Sequence, residues 1–274
     1  MKKFMICTFF LFFLSCKKEK FEIVNLNGNK ILALGHGGMG LGNTYPMDSA
    51  ESILQCLNLG MDGSEFDVQL TADSVLVLFH DTELSQSTTL KGVINSLNWS
   101  EVKTAHYKET LYLDYSIISL EQLFSNLPDP QKFKFTFDCK LYTENKNTLQ
   151  FYDCYSRAII RILEKYQLEN NAYIESQSAE FLQLFKAKKS DYKFFIYPGS
   201  FEEGLKTAQT LGLYGITIST HNITAEQIKI AHDLNFWVTV WNTHTDNDNR
   251  EAIKKNPDCI QTDKVKHLLK ILPH

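Results

Sequence analysis

The sequence predicts a (β/α)8 barrel, the TIM-barrel fold of the α/β class. From residue 30 onward, short runs of β-type residues alternate with longer helical stretches, and repeated βα units imply a parallel sheet. If residues 75–80 are treated as an extra arm and left out of the count, eight main strands remain. This number favours a closed barrel over an open doubly wound sheet. The chain has 274 residues, and barrels of this kind commonly reach about 250 residues as one domain.

The predicted elements follow one another in the order that a barrel requires. The first strand, residues 31–36, leads through a glycine-rich turn into a helix over residues 49–59. The other strands are predicted at residues 63–70, 133–140, 172–176, 193–197, 215–219, 236–241 and 258–261, with further helices at residues 148–166 and 225–234. Residues 84–118 fit the alternation least well and are predicted to be a small insertion between the second and third strands.

The first residues differ from the rest of the chain. Lys2 and Lys3 precede an apolar run over residues 4–14, which is shorter than the roughly 20 residues of a membrane-spanning helix. The run ends in Leu14-Ser15-Cys16, which resembles the lipobox of bacterial lipoproteins. Residues 1–15 are therefore predicted to be a lipoprotein signal peptide, 16–29 a tether and 30–274 the barrel, with acylated Cys16 as a lipid anchor in the membrane of the cell envelope. An ordinary signal peptide with an incidental cysteine is the alternative.

The composition is that of an ordinary globular protein, with 43% apolar and 22% charged residues. The net charge is −4 and no basic stripe is present, so nucleic acid is a poor candidate partner. Four cysteines follow the lipobox, and they form no CxxC metal pattern. Cys56, Cys139, Cys154 and Cys259 are predicted to be buried free thiols, although export would permit disulfides.

Several predicted strands carry charged side chains near their carboxyl ends. Glu65 and Asp67 lie two residues apart on the second strand and so share a face, and Asp138 and Lys140 repeat this spacing on the third. Polar residues at these strand ends converge on one mouth of a barrel. Three carboxylates facing one point repel one another unless a cation lies among them, and hard oxygen ligands suit Ca²⁺ or Mg²⁺. Solvated or salt-bridged surface acids are the alternative.

Two histidines also fall at predicted strand ends. His36 ends the first strand and His80 ends the extra arm, and a pair of histidines is the usual equipment for acid–base catalysis near neutral pH. His244 follows the seventh barrel strand, and its role is left open. The histidines interpreted as structural are His106, His221, His232 and His267, which fall in helical or loop contexts without obvious partners.

A series of motifs resembles the glycerophosphodiester phosphodiesterases. It begins with Gly35-His36-Gly37, continues through the glycine, glutamate, aspartate and threonine–aspartate of residues 60–73, and includes His80-Asp81. The match goes on through residues 118–123, 137–140 and 240–241 to Asp263, in the order that a barrel gives. The resemblance thus spans about residues 31–264.

The resemblance implies hydrolysis of glycerophosphodiesters to glycerol 3-phosphate and an alcohol with the help of a divalent metal. The roles it implies are a catalytic pair of His36 and His80, metal ligands Glu65, Asp67 and Asp138, a phosphate contact by Lys140, and an aromatic wall at Trp241.

The sequence departs from the family pattern at several positions of this site. Gly37 stands where the family usually has an arginine, and Met47 replaces the glutamate of a Pro-Glu-Asn-Thr motif, which here reads Pro46-Met47-Asp48-Ser49. Asp138 replaces the more usual glutamate, and His244 replaces an asparagine. Loss of a bidentate arginine removes a strong phosphate clamp, so the paired loss at Gly37 and Met47 suggests a reshaped pocket.

Three functions fit the sequence. The first is a metal-dependent phosphodiesterase, and the second is a repurposed barrel that binds a phosphodiester, lipid headgroup or glycan without turnover. The third is a related phospholipase-type barrel that acts on membrane lipids. The sequence does not distinguish the alcohol portion of the substrate, the cation, the acid and base roles of the two histidines, the oligomeric state, or the side of the envelope that the anchor faces.

Overall fold

A computed structural model of the protein describes residues 20–42, 44–109, 115–144 and 147–272. The predicted signal peptide and Cys16 lie outside these residues. Among the described residues, no helix has both the length and the hydrophobicity needed to cross a bilayer.

Eight parallel strands form a closed barrel, which confirms the predicted (β/α)8 fold. The described residues form nine strands, which in chain order are β1 (Leu32–Gly35), β2 (Gly63–Leu70), β3 (Leu76–Leu78), β4 (Lys134–Cys139), β5 (Ala172–Ser176), β6 (Lys193–Ile196), β7 (Gly215–Ser219), β8 (Trp237–Thr243) and β9 (Cys259–Thr262). The ring closes because β1 pairs with both β2 and β9. Only β3 lies outside it, paired antiparallel to β2 as the predicted extra arm.

The α-helices of the described residues are α1 (Ala50–Asn58), α2 (Trp99–Val102), α3 (Leu120–Asn126), α4 (Thr148–Tyr166), α5 (Ala179–Lys186), α6 (Phe201–Leu211), α7 (Ala225–Asp233), α8 (Asp246–Lys254) and α9 (Val265–Ile271). Most begin at a side chain that accepts a backbone N–H of the first turn, such as Ser178 before α5 and Ser200 before α6. These caps fix the residue at which each of those helices begins.

Strands β2, β5 and β7 and helix α4 have the predicted bounds, and the other predicted strands differ by one or two residues at an end. Among the barrel strands the largest difference is at β8, which continues to Thr243. The pairing of β8 with β9 shifts register between Val240 and Thr243. Because pairing resumes at Thr243, the strand continues beyond the apolar run that predicted it.

The predicted insertion has a small core of its own. Buried apolar residues of β3 and of the segment that follows pack together, among them Phe79, Leu84, Ile94 and Ile117. The main core lies between the barrel and its helices and includes the ring cluster of Phe66, Phe124, Phe135 and Phe137. The insertion therefore stands beside the mouth as a separately packed unit.

The barrel register places three acids side by side. Asp67 on β2 pairs with Asp138 on β4, and Asp138 pairs with Glu175 on β5. Residues at the same level of neighbouring parallel strands point to the same side of the sheet. Three neighbouring strands of the barrel thus each direct one carboxylate toward the same place at its carboxyl end.

The chain before β1 is bound to the opposite end of the barrel. Val24 N–H donates to the Asn256 side chain, and the N–H groups of Leu26 and Asn27 donate to Asp258 Oδ1 at 2.8 and 3.1 Å. Asp258 directly precedes β9, so these bonds form at the amino ends of the strands. The part of the predicted tether from Val24 onward is therefore attached to the barrel.

Candidate active site

A cavity of about 560 Å³ opens at the carboxyl ends of the strands. The predicted site residues that line it are His36, Glu65, Asp67, His80, Asp138, Lys140 and Trp241. They come from five different strands or the residues directly after them, which is how a barrel mouth assembles a site.

The three predicted metal ligands form a buried cluster. Glu65, Asp67 and Asp138 each offer an oxygen, and the three atoms lie within 4.8 Å of one another. Glu65 Oε2 accepts the N–H of Gly37 at 3.0 Å. Burial raises the pKa of Glu65 well above its ordinary value, and the negative charges of Asp67 and Asp138 raise it further. Like charges in a dry site favour either bound protons or a bound cation.

Lys140 lies against this cluster. Its Nζ is 2.6 Å from Asp138 Oδ2 and 3.0 Å from Asp67 Oδ1, and its side chain is largely buried. Burial alone would lower the pKa of Lys140, but the two carboxylates raise it well above the ordinary value. Lys140 therefore keeps its positive charge at neutral pH, and among the described residues that line the cavity it is the only lysine or arginine.

Both histidines are oriented by carboxylates. His36 Nδ1 lies 2.8 Å from Asp263 Oδ1, directly after β9, and His80 Nδ1 lies 3.0 Å from Asp81 Oδ1. A carboxylate accepts hydrogen bonds, so each imidazole carries a proton on Nδ1 and leaves Nε2 for the substrate. Burial lowers the pKa of His36, but the hydrogen bond and charge of Asp263 outweigh it, and the pKa lies above its ordinary value.

The loop that carries His80 is held from β2. Gln69 Nε2 donates to the backbone carbonyls of Phe79 and Asp81 at 2.7 and 2.9 Å, on either side of the histidine. Asp81 is fixed in turn, because its Oδ2 accepts the hydroxyl of Ser87 at 2.7 Å. The histidine side chain itself is more than half exposed, so its position depends on these contacts.

Trp241 forms an aromatic wall beside His36. Their ring centroids are 6.3 Å apart, and Tyr197 packs edge-on against the other side of the indole at 5.4 Å. The half-buried indole lines the cavity between these two rings. The sequence-predicted site residues within the described part of the chain are thus all brought to one mouth, while Cys16 lies outside that part.

A sequence model of the glycerophosphoryl diester phosphodiesterase family matches residues 39–267. The chain belongs to this family. The glycerophosphodiester phosphodiesterase of Caldanaerobacter subterraneus subsp. tengcongensis is 23% identical over 248 residues, which cover 89% of this chain and 98% of that protein. The enzyme of the same name from Bacillus altitudinis is 26% identical over 147 residues, and the match spans only 58% of its length and 53% of this chain.

The fold agrees with that of solved family structures. A phosphodiesterase of Oleispira antarctica, solved in complex with the product sn-glycerol-3-phosphate, superposes with a TM-score of 0.77 at 16% identity, covering 88% of this chain and 96% of that one. At this level of identity the likeness establishes the fold of the glycerophosphoryl diester phosphodiesterase family in this chain.

The two departures from the family at Gly37 and Met47 meet in space. A Cβ atom on Gly37 would lie 2.7 Å from Met47 Cε and 2.9 Å from Met47 Cβ, and Gly37 has a φ of +52° that disfavours other residues. The methionine thus occupies room next to the position of the usual arginine. The sequence resemblance predicts an arginine and a glutamate at these two positions, and the chain instead has a glycine and an apolar side chain beside it.

Some acids at the mouth, among them Glu175, Asp263 and Asp48, were not predicted as site residues. Glu175 lines the cavity from β5, and burial, followed by the charge of Asp138, raises its pKa to about 8. Asp263 holds His36 and also bonds His244 Nδ1. Asp48 is buried in the loop before α1 and lines the cavity. A carboxylate that ends a predicted strand was a usable signal for Glu175 and Asp263.

Two of the histidines interpreted as structural need correction, because both were expected to lack partners. His267 Nδ1 lies 3.3 Å from Asn249 Nδ2, and His232 Nε2 lies 2.9 Å from Asp258 Oδ2. The partner of His232 lies 26 residues further along the chain, on the turn before β9, so local sequence did not reveal it. His232 remains structural, because this pair lies at the amino end of the barrel. The four cysteines of the described residues are free thiols, with Cys154 only half-buried.

Proposed function

We propose that this protein hydrolyses glycerophosphodiesters to glycerol 3-phosphate and an alcohol in a reaction that depends on a divalent cation. The observation that carries the proposal is one mouth holding three buried carboxylates, a buried lysine and two histidines that each have a carboxylate on Nδ1. An acid–base pair beside an anion-binding group and a metal-ligand cluster is the set of parts that phosphodiester hydrolysis requires.

The donor set suits Ca²⁺ or Mg²⁺. Carboxylate oxygens are the ligands these hard cations prefer, and Asp67 Oδ2 is buried without a hydrogen-bond donor among the described residues. A cation held by Glu65, Asp67 and Asp138 would neutralise charge on the phosphoryl oxygens and polarise the phosphorus–oxygen bonds. The cluster would otherwise have to retain protons at neutral pH, which the raised pKa values of Glu65 and Asp138 express.

The histidines move the protons. One Nε2 accepts the proton of the attacking hydroxyl, which belongs to water or to the glycerol portion of the substrate. In the second case a cyclic glycerol phosphate forms first, and water then opens it to glycerol 3-phosphate. The other Nε2 donates a proton to the oxygen of the leaving alcohol. Asp263 and Asp81 stabilise the charged imidazole at each stage and keep both rings in the tautomer that the reaction needs.

Lys140 takes over the phosphate contact that the family usually shares with an arginine. Its ammonium group is held by Asp67 and Asp138 and lines the cavity, so it is already in place before substrate arrives. An ammonium is a point charge and lacks the two-pronged geometry of a guanidinium. We expect the phosphate to be bound with less directional constraint than in family members that keep the arginine.

We propose further that the enzyme is anchored in the cell envelope through acylated Cys16 and acts on deacylated diesters in solution. Phe21, which packs against the core, follows Cys16 by five positions, and five residues span at most about 18 Å. The chain that follows is bound to the amino end of the barrel, opposite the cavity. A short tether at that end would turn the mouth away from the membrane, which favours a soluble substrate over intact phospholipid.

Hydrolysis of glycerophosphocholine and glycerophosphoethanolamine by the mature domain tests the reaction. We expect release of glycerol 3-phosphate with Ca²⁺ or Mg²⁺, none with chelator, and none from the His80→Ala variant. Intact phospholipid in vesicles, supplied to the lipidated protein in parallel, tests the orientation, and rapid cleavage of the vesicle lipid would contradict it. No turnover of any diester by a folded, metal-bound protein would contradict the enzyme.

That last result would support a second candidate, a barrel that binds a phosphodiester without turning it over. The observation in its favour is the apolar contact of Met47 with Gly37, which removes two charged groups from the mouth. The two candidates are separated by measuring binding of glycerol 3-phosphate in the presence of metal, because a binding protein retains the ligand with no product formed.

A further inference from the structure

His244 lines the mouth, and the proposed reaction gives it no part. It stands where the family usually has an asparagine. Its Nδ1 is hydrogen-bonded to Oδ2 of Asp263, while Oδ1 of the same carboxylate lies 2.8 Å from Nδ1 of His36. The imidazole of His244 is partly exposed, and it lines the cavity together with that of His36. One aspartate thus joins a proposed catalytic histidine to a second histidine.

The register of the barrel brings these three side chains together. Strand β9 lies between β1 and β8, and the last residue of β9 is paired with the last residue of each neighbour. His36, Asp263 and His244 are the residues that directly follow these three strands. Residues at the same level of neighbouring parallel strands point to the same side, so an imidazole stands on either side of the carboxylate.

A bulge in β8 determines that His244 is the residue beside Asp263. From Val240 to Thr243 the strand advances by three residues while its partner β9 advances by two, so β8 contains one extra residue. Asn242 lies in this bulge with a φ of +66°, a left-handed conformation that asparagine tolerates. Without the extra residue, Thr243 would stand beside Asp263. Bulges that re-aim one side chain are typical of positions next to active sites.

Asp263 is buried and depends on these donors for its orientation. Besides the two imidazoles, the N–H of Leu41 donates to it. Burial raises the pKa of Asp263, but the hydrogen bond and charge of His36, followed by the bond from His244, hold it below its ordinary value. The carboxylate is therefore ionised, and each of its oxygens accepts one imidazole N–H.

We infer that His244 is a positioning residue, which holds one oxygen of Asp263 and so directs the other toward His36. The inference rests on the proposed hydrolysis, in which His36 moves a proton. A carboxylate that is released on one side rotates readily about its last side-chain bond. His36 would then lose the alignment and the tautomer that leave Nε2 for the substrate. The carboxylate cluster and Lys140 would still bind the phosphate, so the loss falls on turnover.

Two variants of similar size test the inference. His244→Leu removes the donor, whereas His244→Asn retains one, because the amide nitrogen of asparagine takes the place of Nδ1 along the side chain. We expect the turnover number for glycerophosphoethanolamine to fall by about ten- to a hundredfold in His244→Leu with little change in KM, and to stay near that of wild type in His244→Asn. His221→Leu, which replaces an exposed histidine after β7, is the control and should match the wild type.

A double-mutant cycle separates positioning from direct contact with the substrate. If His244 acts through Asp263, His244→Leu should cost little further turnover in protein that already carries Asp263→Asn. Losses that multiply would overturn the inference, because His244 would then act on the substrate independently of Asp263.

Proton NMR gives a readout that does not depend on turnover. An imidazole Nδ1–H held by a carboxylate has a downfield resonance, which exchange with solvent broadens when the bond is loosened. The His36 resonance, assigned by its loss in His36→Gln, should be sharp in wild type and in His244→Asn and broad in His244→Leu. A sharp resonance or an unchanged turnover number in His244→Leu would overturn the inference.

The proposed hydrolysis fails separately from the inference. If the wild type showed the expected resonances but no turnover with Ca²⁺ or Mg²⁺, the hydrolysis alone would be overturned. If thermal unfolding shows that His244→Leu does not fold, His244→Ala replaces it, since it also lacks the donor.

Discussion

The two ends of the barrel each bury an aspartate, and the two differ in what surrounds them. At the amino end, Asp258 Oδ1 accepts the N–H groups of Leu26 and Asn27, and Oδ2 accepts Val238 N–H and lies 2.9 Å from His232 Nε2. At the mouth, Asp48 accepts one N–H and has an oxygen without a donor among the described residues. Burial alone therefore does not indicate function; an unsatisfied buried carboxylate among like charges does.

The largest effect that this contrast predicts is on turnover at the mouth. Glu65→Gln should lower the turnover number by roughly a hundred- to thousandfold, the size expected when one strongly placed electrostatic group is lost. Stability of the metal-free protein should change little. Glutamine has the shape of a protonated glutamate, which the raised pKa of Glu65 favours, and it can accept the N–H of Gly37. Steady-state kinetics and urea unfolding with chelator measure the two effects separately.

The contrast would be contradicted if Glu65→Gln lowered the free energy of unfolding by as much as it raised the activation free energy of turnover. Glu65 would then stabilise the fold as Asp258 does. The conservative control is Glu51→Gln on the exposed face of α1, which should leave both kinetics and unfolding unchanged.

The reverse pattern is expected at the amino end. Asp258→Asn places an amide donor against backbone N–H groups and removes a charge that bonds to His232, so the free energy of unfolding should fall by about 2 to 4 kcal/mol. Activity per folded molecule should remain near that of wild type. Urea denaturation is the measurement, with Asp233→Asn on α7 as control, because its exposed pair with Lys229 contributes little. A fall below about 1 kcal/mol would contradict the structural role.

Most of the fold could be predicted from the sequence, because local composition and alternation determine it. The eight barrel strands, the extra arm and helix α4 have apolar runs or periodicity that short segments reveal. The insertion was predicted only as a segment that did not fit, since its small core depends on contacts between residues such as Phe79 and Ile117 that are far apart in the chain.

The mouth could be predicted in part. Glu65, Asp67 and Asp138 follow from spacing along single strands, and barrel geometry brings them together. Asp48 could not be assigned in the same way. A burial state and a missing hydrogen-bond donor arise from surrounding elements, and no spacing in the sequence encodes them. The meeting of Gly37 with Met47 is likewise visible only in three dimensions, although both residues stood out as departures.

The last predicted effect, a slope of about 1.4 kcal/mol per pH unit in the free energy of unfolding, separates the two ends by pH. Burial, and then the charge of Asp138, raises the pKa of Glu175 to about 8 in the folded protein, above the ordinary value of 4.5 that the unfolded chain has. Between these values the folded state binds one more proton than the unfolded state, so the stabilisation present at low pH is lost as the pH rises through about 8. Glu175→Gln cannot titrate and should lack this part of the decline.

Urea unfolding of the chelator-treated protein between about pH 5 and about pH 8 measures how the free energy of unfolding changes with pH in wild type and in Glu175→Gln. The control is Glu180→Gln, which replaces an exposed acid on α5. The amino end supplies the contrast, because Asp258 is satisfied by backbone N–H groups and Asp258→Asn should lower stability at every pH in this range. If the free energy of unfolding changed with pH equally in wild type and Glu175→Gln, Glu175 would be ionised in the folded protein. The positive charge of Lys140 would then have to offset the carboxylates of the mouth. Added Ca²⁺ should stabilise the wild type most at the upper end of the range, where the carboxylates release their protons to bind it.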